Sequence, residues 1–474
     1  MFTFTDIQGS WNFTLENFNE VWAGMLQLFV LIAFILVGNI FRRVIPFLKK
    51  SYIPSSLIGG ILLLIINLIS EALFGNPIVS PRLMQIVTYH ALAIGFIATT
   101  LKTTNGIKDK ELVKKSTQNG LITGSVYMLQ AAFGILTVLI FFWAGKSIFY
   151  DAGVILPLSF GQGPGNALTW DINFSDPEFL DGIGANKLDA MDTNGSFGLV
   201  MASIGFIVAS IVGVVYINFF RIKGEIINEV KDNVDEEIEL VSDEEVSKRS
   251  ANLGIQLGII SICYLMTFGI MSLLSLSSFT NTLAWGFNFF FGVISATLVK
   301  LLIKFFRKKN IIKQDIINNR QMNKVSDFAF DLMITAGVAA IDIENVVNYI
   351  GIIIALSIVG TIITFIYVRI ITKVCFKGYE HDMFLVNFGT LTGTASNGMI
   401  LLRESDPTFA RNSANIFVVS QIPAMVAVVP LLFLLNFSAK SLTTCLIAMG
   451  IFFALAILYT IIILILNKKK VKEE

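Results

Sequence analysis

Charge is what this 474-residue chain has least of: Asp, Glu, Lys and Arg make up 15% of it, against ~25% in an average soluble domain. Histidine is scarcer still. Two residues of that type leave a histidine-built metal centre without ligands. Cysteine is nearly missing too, and Cys263, Cys375 and Cys445 lie in separate apolar runs, with neither metal-ligand spacing nor a disulfide framework. Packing is the role expected of them. No H-E-x-x-H, G-x-S-x-G or phosphate-loop pattern occurs, so an enzyme is not expected. No Lys or Arg precedes Arg42 and no A-x-A cleavage pattern follows, which argues against a cleaved signal peptide.

What is abundant is apolar sequence: 54% of residues are hydrophobic. Runs of about 18 residues or more, each long enough to cross ~30 Å of hydrocarbon, recur along the chain. We read eleven spans, at 22–41, 53–74, 83–101, 120–143, 197–220, 253–276, 283–306, 328–341, 346–371, 414–435 and 442–466. The eighth is short for a straight crossing and is expected to begin nearer Val325. The fold class is therefore an all-α polytopic membrane protein.

Two polar, glycine-rich segments break this pattern. SFGQGPGNALTW (Ser159 to Trp170) follows the fourth span, and NFGTLTGTASNG (Asn387 to Gly398) follows the ninth. Backbone that cannot stay helical is tolerated at membrane depth only where it is buried in protein or lines a polar cavity. Each segment is too short to cross twice, so each is expected as a re-entrant hairpin, near 152–170 and near 383–402. Paired interruptions at corresponding places in two halves point to the binding site of a secondary transporter.

The halves match in spacing. Gly161 and Gly389 are 228 residues apart, as are Gly165 and Gly393. The expected organisation is a first repeat over 22–220, a charged cytoplasmic linker at 221–250, and an inverted second repeat over 251–436. An additional helix at 442–466 and a basic tail at 467–474 complete it. Basic residues set the orientation by the positive-inside rule. With the N-terminus outside, only Arg82, Lys146, Lys187 and Lys440 of the 35 Lys and Arg fall outside; Lys300 lies near the inner end of the seventh span, and the others lie in cytoplasmic segments or at the inner ends of spans. The C-terminus is then inside, and the hairpins enter from opposite faces. The acidic linker is read as solvated connection.

Helix ends meeting inside a membrane provide charge without ionised side chains. Free N–H groups at a half-helix N-terminus suit a carboxylate, and C-terminal carbonyls suit a cation such as Na⁺. Gly161, Gly163, Gly165, Gly389 and Gly393 permit the turns this needs, and Pro164 stops helical continuation. Asn166, Thr169, Thr392, Thr394, Ser396 and Asn397 add amides and hydroxyls. The competing reading of any one G-x-x-x-G is close helix packing alone. Among ionisable groups, Asp331 is the candidate cation ligand and Asp327, one turn earlier, is read as interfacial. His90 is either proton-sensitive or a satisfied buried histidine. Arg403 is either a bidentate partner for a substrate carboxylate or a cytoplasmic anchor paired with Glu404 and Asp406. Trp170 is expected at the membrane interface.

These residues resemble the glutamate:sodium symporter family of bacterial inner-membrane carriers over nearly the whole chain. GQGPGNA (Gly161 to Ala167) is similar to the family's G-x-G-x-G-x-A hairpin, and IPSSLIGGIL (Ile53 to Leu62) to its P-x-x-I-G-G segment. GTLTGTASNGM follows the second hairpin's pattern only loosely, and an eleventh span exceeds the family's ten. The resemblance implies two inverted five-span repeats, a homodimer held by scaffold domains, and elevator movement of the hairpin-bearing domains. It places Gly161, Gly163, Gly165, Asn166, Gly389, Gly393, Thr394 and Asn397 at the hairpin tips; Asp331 and Arg403 are added from their chemistry.

The expected function is Na⁺-coupled symport of glutamate or a similar small dicarboxylate. Substrate binding is assigned to Gly161, Gly163, Gly165, Asn166, Gly393, Thr394, Asn397 and Arg403, and sodium binding to Gly389, Thr392, Ser396 and Asp331. The alternatives are a Na⁺- or H⁺-coupled carrier of another carboxylate, such as a hydroxycarboxylate, and an ion channel. Sodium ions, the small anion and membrane lipids are the partners expected, with no cofactor and no nucleic acid. The location expected is the bacterial inner membrane.

Overall fold

A computed structural model describes residues 15–102, 110–226, 253–276, 284–311, 316–406 and 411–468. Most of the expected linker and of the basic tail lies outside the described residues.

The described residues are helical throughout their ordered elements. In chain order these are α1 (Leu15–Val44), α2 (Pro46–Lys50), α3 (Ser55–Phe74), α4 (Pro81–Leu101), α5 (Lys110–Trp143), α6 (Ile155–Phe160), α7 (Pro164–Ser175), α8 (Pro177–Ile183) and α9 (Ser196–Ile222). The remainder are α10 (Leu253–Leu274), α11 (Asn288–Lys308), α12 (Asn319–Ala339), α13 (Ile350–Cys375), α14 (Glu380–Thr392), α15 (Ala395–Ser405), α16 (Ser413–Ser438) and α17 (Leu442–Lys468). Boundary chemistry follows the usual rules: Pro81 opens α4 at a position that needs no N–H, and Gly75 ends α3 at φ +74°.

Among the described residues ten helices are long and apolar enough to cross a membrane. The protein is thus a polytopic membrane protein. α12 is long enough but too polar to join the ten, because Arg320, Lys324, Asp327 and Asp331 lie in it. It begins at Asn319, ahead of both 328 and the expected start nearer Val325. α5 likewise begins at Lys110 and not near 120: its first turns carry Lys110, Glu111, Lys114 and Lys115 without losing helix.

The helices pack in two groups. In one, α1 lies on α3, α3 on α12, α12 on α4, α4 on α11 and α11 on α10. In the other, α5 runs against α13, α16 and α17, while α9 packs on α6, α7, α14 and α15. Several contacts join the groups. Gly165 of α7 seats on Leu92 of α4, where an added Cβ would come within 2.9 Å. Gly337 of α12 seats on Pro164. The Tyr52 hydroxyl, in the connector before α3, donates to Glu404 Oε2 near the end of α15 at 2.8 Å. Tyr52 itself sits at φ +55°, backbone that a non-glycine residue holds only when its surroundings impose it.

The core is richest around α6, α7, α9 and α14, where Phe160, Phe174, Phe197, Phe206, Phe384 and Phe388 are fully buried. Trp170 belongs to it as well. It has no exposed surface and packs against Phe174, Phe179 and Phe287, so it is a core residue and not an interfacial aromatic. Its place in mid-α7, a helix enclosed by α4 and α9, explains the difference. The three cysteines are buried and unpaired.

Candidate functional site

Both glycine-rich segments form broken helices. In the first, α6 ends at Phe160 and α7 restarts at Pro164. Gly163 makes the turn at φ +83° and ψ −176°, a region open essentially to glycine alone. Pro164 follows at N1, where its missing N–H costs nothing. The Tyr127 hydroxyl of α5 donates to the Gly161 carbonyl at 2.6 Å. A side chain at Gly161 would put a Cβ 2.0 Å from the Tyr127 ring, so this carbonyl is reachable only because residue 161 is glycine.

In the second segment, α14 ends at Thr392 and α15 restarts at Ala395. Gly389 and Gly398 bring the two arms together: a Cβ on Gly389 would lie 2.8 Å from the Gly398 Cα. Gly389 therefore serves arm-to-arm packing one turn below the tip. Asn397 folds back over Gly393, and its Oδ1 accepts from the Thr394 hydroxyl at 3.3 Å.

The two tips meet. A Cβ placed on Gly163 would be 3.7 Å from Thr394 Cγ2 and 3.4 Å from Met333 Cε of α12. The ends of the two first arms meet as well, at Gly205 of α9, where an added Cβ would fall 2.3 Å from the Thr392 carbonyl oxygen and 3.2 Å from the Phe160 ring. Two helix N-termini and two helix C-termini thus converge on one place. Each N-terminus carries about half a positive charge and each C-terminus about half a negative one. Such a point attracts an anion and a cation together.

Buried polar atoms without partners mark the same place. Asn166 donates through Nδ2 to Gln162 Oε1 at 2.6 Å, leaving Oδ1 unpartnered. Asn397 Nδ2 is also unpartnered, and both residues are at most 3% exposed. Leaving a buried polar atom unmade costs about 1–3 kcal/mol, so these two atoms make the tips a candidate place for a polar ligand.

No family model matches the chain, and no curated protein matches it.

Of the site residues expected from sequence, the structure brings Gly161, Gly163, Gly165, Asn166, Gly393, Thr394 and Asn397 together at the tips. Ser396 stands there too, exposed in the first turn of α15. The Thr392 hydroxyl is spent on its own helix, donating to the Phe388 carbonyl at 2.7 Å, which leaves its backbone carbonyl as the group facing the site. The Thr169 hydroxyl likewise turns back to the Gly165 carbonyl.

Three ionisable candidates lie elsewhere. Asp331 sits beside Ser56, on the face of α12 that also carries Thr335, whose hydroxyl donates to the Ser56 carbonyl at 3.0 Å. That face looks at α3, whereas Met333 and Gly337 look at the first hairpin. Arg403 is exposed, nine residues beyond Thr394 or about 13 Å along the helix axis. His90 is exposed on α4 and bonds Tyr264 of α10.

Residues not singled out from sequence complete the surroundings: Tyr127 and Gln130 on α5, Gln162 at the first tip, Thr364 on α13 and Met333 on α12. Buried carboxylates hold the first hairpin in place. Asp171 accepts from the Thr193 hydroxyl and from the Gly198 N–H, capping the start of α9. Asp151, just before the hairpin, accepts from the Ser438 hydroxyl at 2.7 Å, and burial pushes its carboxyl up to about 8.

Proposed function

We propose that this protein is a secondary active transporter that carries a small carboxylate, glutamate or a similar dicarboxylate, together with Na⁺. The observation that carries the reading is the meeting of two broken helices, tip to tip, with unpartnered buried amides at both tips. Helix N-termini at Pro164 and Ala395 would hold carboxylate, and the C-terminal carbonyls of α14 would hold Na⁺. Occupancy by either ion raises the affinity for the other equally at equilibrium. The residues assigned to the substrate are Gly163, Gly165, Asn166, Gly393, Thr394 and Asn397. Arg403 and Asp331 have no place at the tips in this arrangement.

Movement is read from packing. The contacts of α1, α3 and α4 are echoed by those of α10, α11 and α12, and α4 lies against its counterpart α12. We read this echo as an inverted repeat forming a scaffold, with the hairpins, α5, α9, α13, α16 and α17 as the moving body. The hairpins are not equally covered. α7 is seated on α4 and α12, while α15 packs on α14 and α9 and exposes Ala395 and Ser396. The site therefore opens on the side of the second hairpin, the cytoplasmic side by the distribution of basic residues. An elevator displacement would then seat α15 on the scaffold and uncover α7.

Uptake into proteoliposomes tests the reading. Labelled glutamate should accumulate with an inward Na⁺ gradient, and K⁺ in place of Na⁺ should abolish it. Competition by unlabelled acids separates glutamate from hydroxycarboxylates, and uptake indifferent to Na⁺ would reject sodium coupling.

A further inference from the structure

Gln130 lies within α5 with no exposed surface. Its Nε2 donates to the Thr364 hydroxyl oxygen at 2.8 Å and to the Leu391 carbonyl at 2.9 Å. These bonds settle which way the amide points. A carbonyl only accepts, so the NH₂ must face Leu391, and a flipped amide would set oxygen against oxygen. The remaining atom, Oε1, is buried and unpartnered. It is thus an acceptor without a donor, held in a fixed orientation beside the last turn of α14.

That last turn adds more of the same chemistry. The final four carbonyls of a helix have no intrahelical partner and carry the negative end of its dipole. Leu391 and Thr392 supply two of them, and Gly205 is a glycine where the Thr392 carbonyl comes closest to α9. An amide oxygen and helix-end carbonyls form a set of hard, neutral oxygen donors. Hard cations prefer oxygen ligands; a set with no carboxylate suits a single positive charge.

We propose that Gln130 Oε1 and the carbonyl oxygens that end α14 form a sodium site, with the Thr364 hydroxyl holding the amide in the orientation that presents Oε1. The assignment rests on the sodium-coupled reading above and names a ligand outside the hairpins. It also gives the coupling a structural route. Sodium at the end of α14 pins that end to α5, and so holds Gly393 and Thr394 in the turn that presents Asn397. The substrate then meets a tip already ordered by the ion.

Thermal unfolding of the purified protein, titrated with NaCl against choline chloride at constant ionic strength and with KCl as a control, tests the site without substrate. Wild type should be stabilised saturably by Na⁺ and not by K⁺. Gln130→Met, similar in volume but without the oxygen, should raise the half-saturating Na⁺ concentration about tenfold, equivalent to about 1.4 kcal/mol of lost binding. Gln130→Asn keeps the amide but withdraws it by one methylene, and should weaken the Na⁺ response as well. An unchanged midpoint in folded Gln130→Met overturns the assignment while leaving sodium coupling intact. Where Gln130→Met does not fold, an unchanged midpoint in folded Gln130→Asn overturns it equally. Wild type that ignores Na⁺ overturns both the site and the coupling.

Discussion

At the residue scale, glycine decides the site. Gly163 turns the first hairpin in backbone that other residues avoid, at a cost of about 1–3 kcal/mol for a side chain. Gly163→Ala should therefore abolish or sharply reduce uptake while leaving expression and membrane insertion intact, measured as initial rate per inserted protein. These tip glycines were legible from sequence because Gly and Pro are the residues whose backbone limits are known in advance. Ionisable residues were not placed so well. Asp331 and Arg403 carry the right charges, yet charge in a sequence says nothing of the direction in which a helix presents it. Asp331 faces α3 and Arg403 lies far down α15. Trp170 misled for a similar reason, since its amphipathic ring fits either an interface or a core with polar edges. Gln130 left no trace at all: one amide inside an apolar run has no spacing partner to betray it.

At the element scale, hydropathy located ten spans, and it located them because lipid demands an unbroken apolar length. It failed where protein replaces lipid around a helix. α12 packs on α3 and α4 and tolerates Arg320, Lys324, Asp327 and Asp331. On the proposed topology, read from the distribution of basic residues, it crosses. If α12 stayed on one side, Lys373, Lys377, Arg403 and Arg411 would all change sides. Cysteine labelling in intact cells checks this. Glu344→Cys should react with an impermeant maleimide from outside, and Lys324→Cys only after permeabilisation. Equal reactivity of both from one side would remove α12 from the set of crossing helices. All three native cysteines are buried, so background labelling should be low.

At the scale of the whole molecule, the contacts between the two helix groups include Gly165 on Leu92, Gly337 on Pro164, Trp170 on Phe287 and the Tyr52 hydroxyl on Glu404. Glu404 is also reached by Arg221, whose guanidinium donates to its carbonyl at 2.8 Å. The pairing of the tips was not readable from sequence, because distance between segments 228 residues apart is a property of the packed chain. What sequence did offer was their matched spacing, from Gly161 to Gly389 and from Gly165 to Gly393. The account as a whole depends on one ligand site at the junction of Gly163 and Thr394, open beside Ser396. The most direct test is the alkylation rate of Ser396→Cys in purified protein. Glutamate in NaCl should slow it several-fold, and glutamate in KCl should leave it unchanged. A rate that is the same in both, across saturating glutamate, would contradict a sodium-dependent carboxylate site at the hairpin tips.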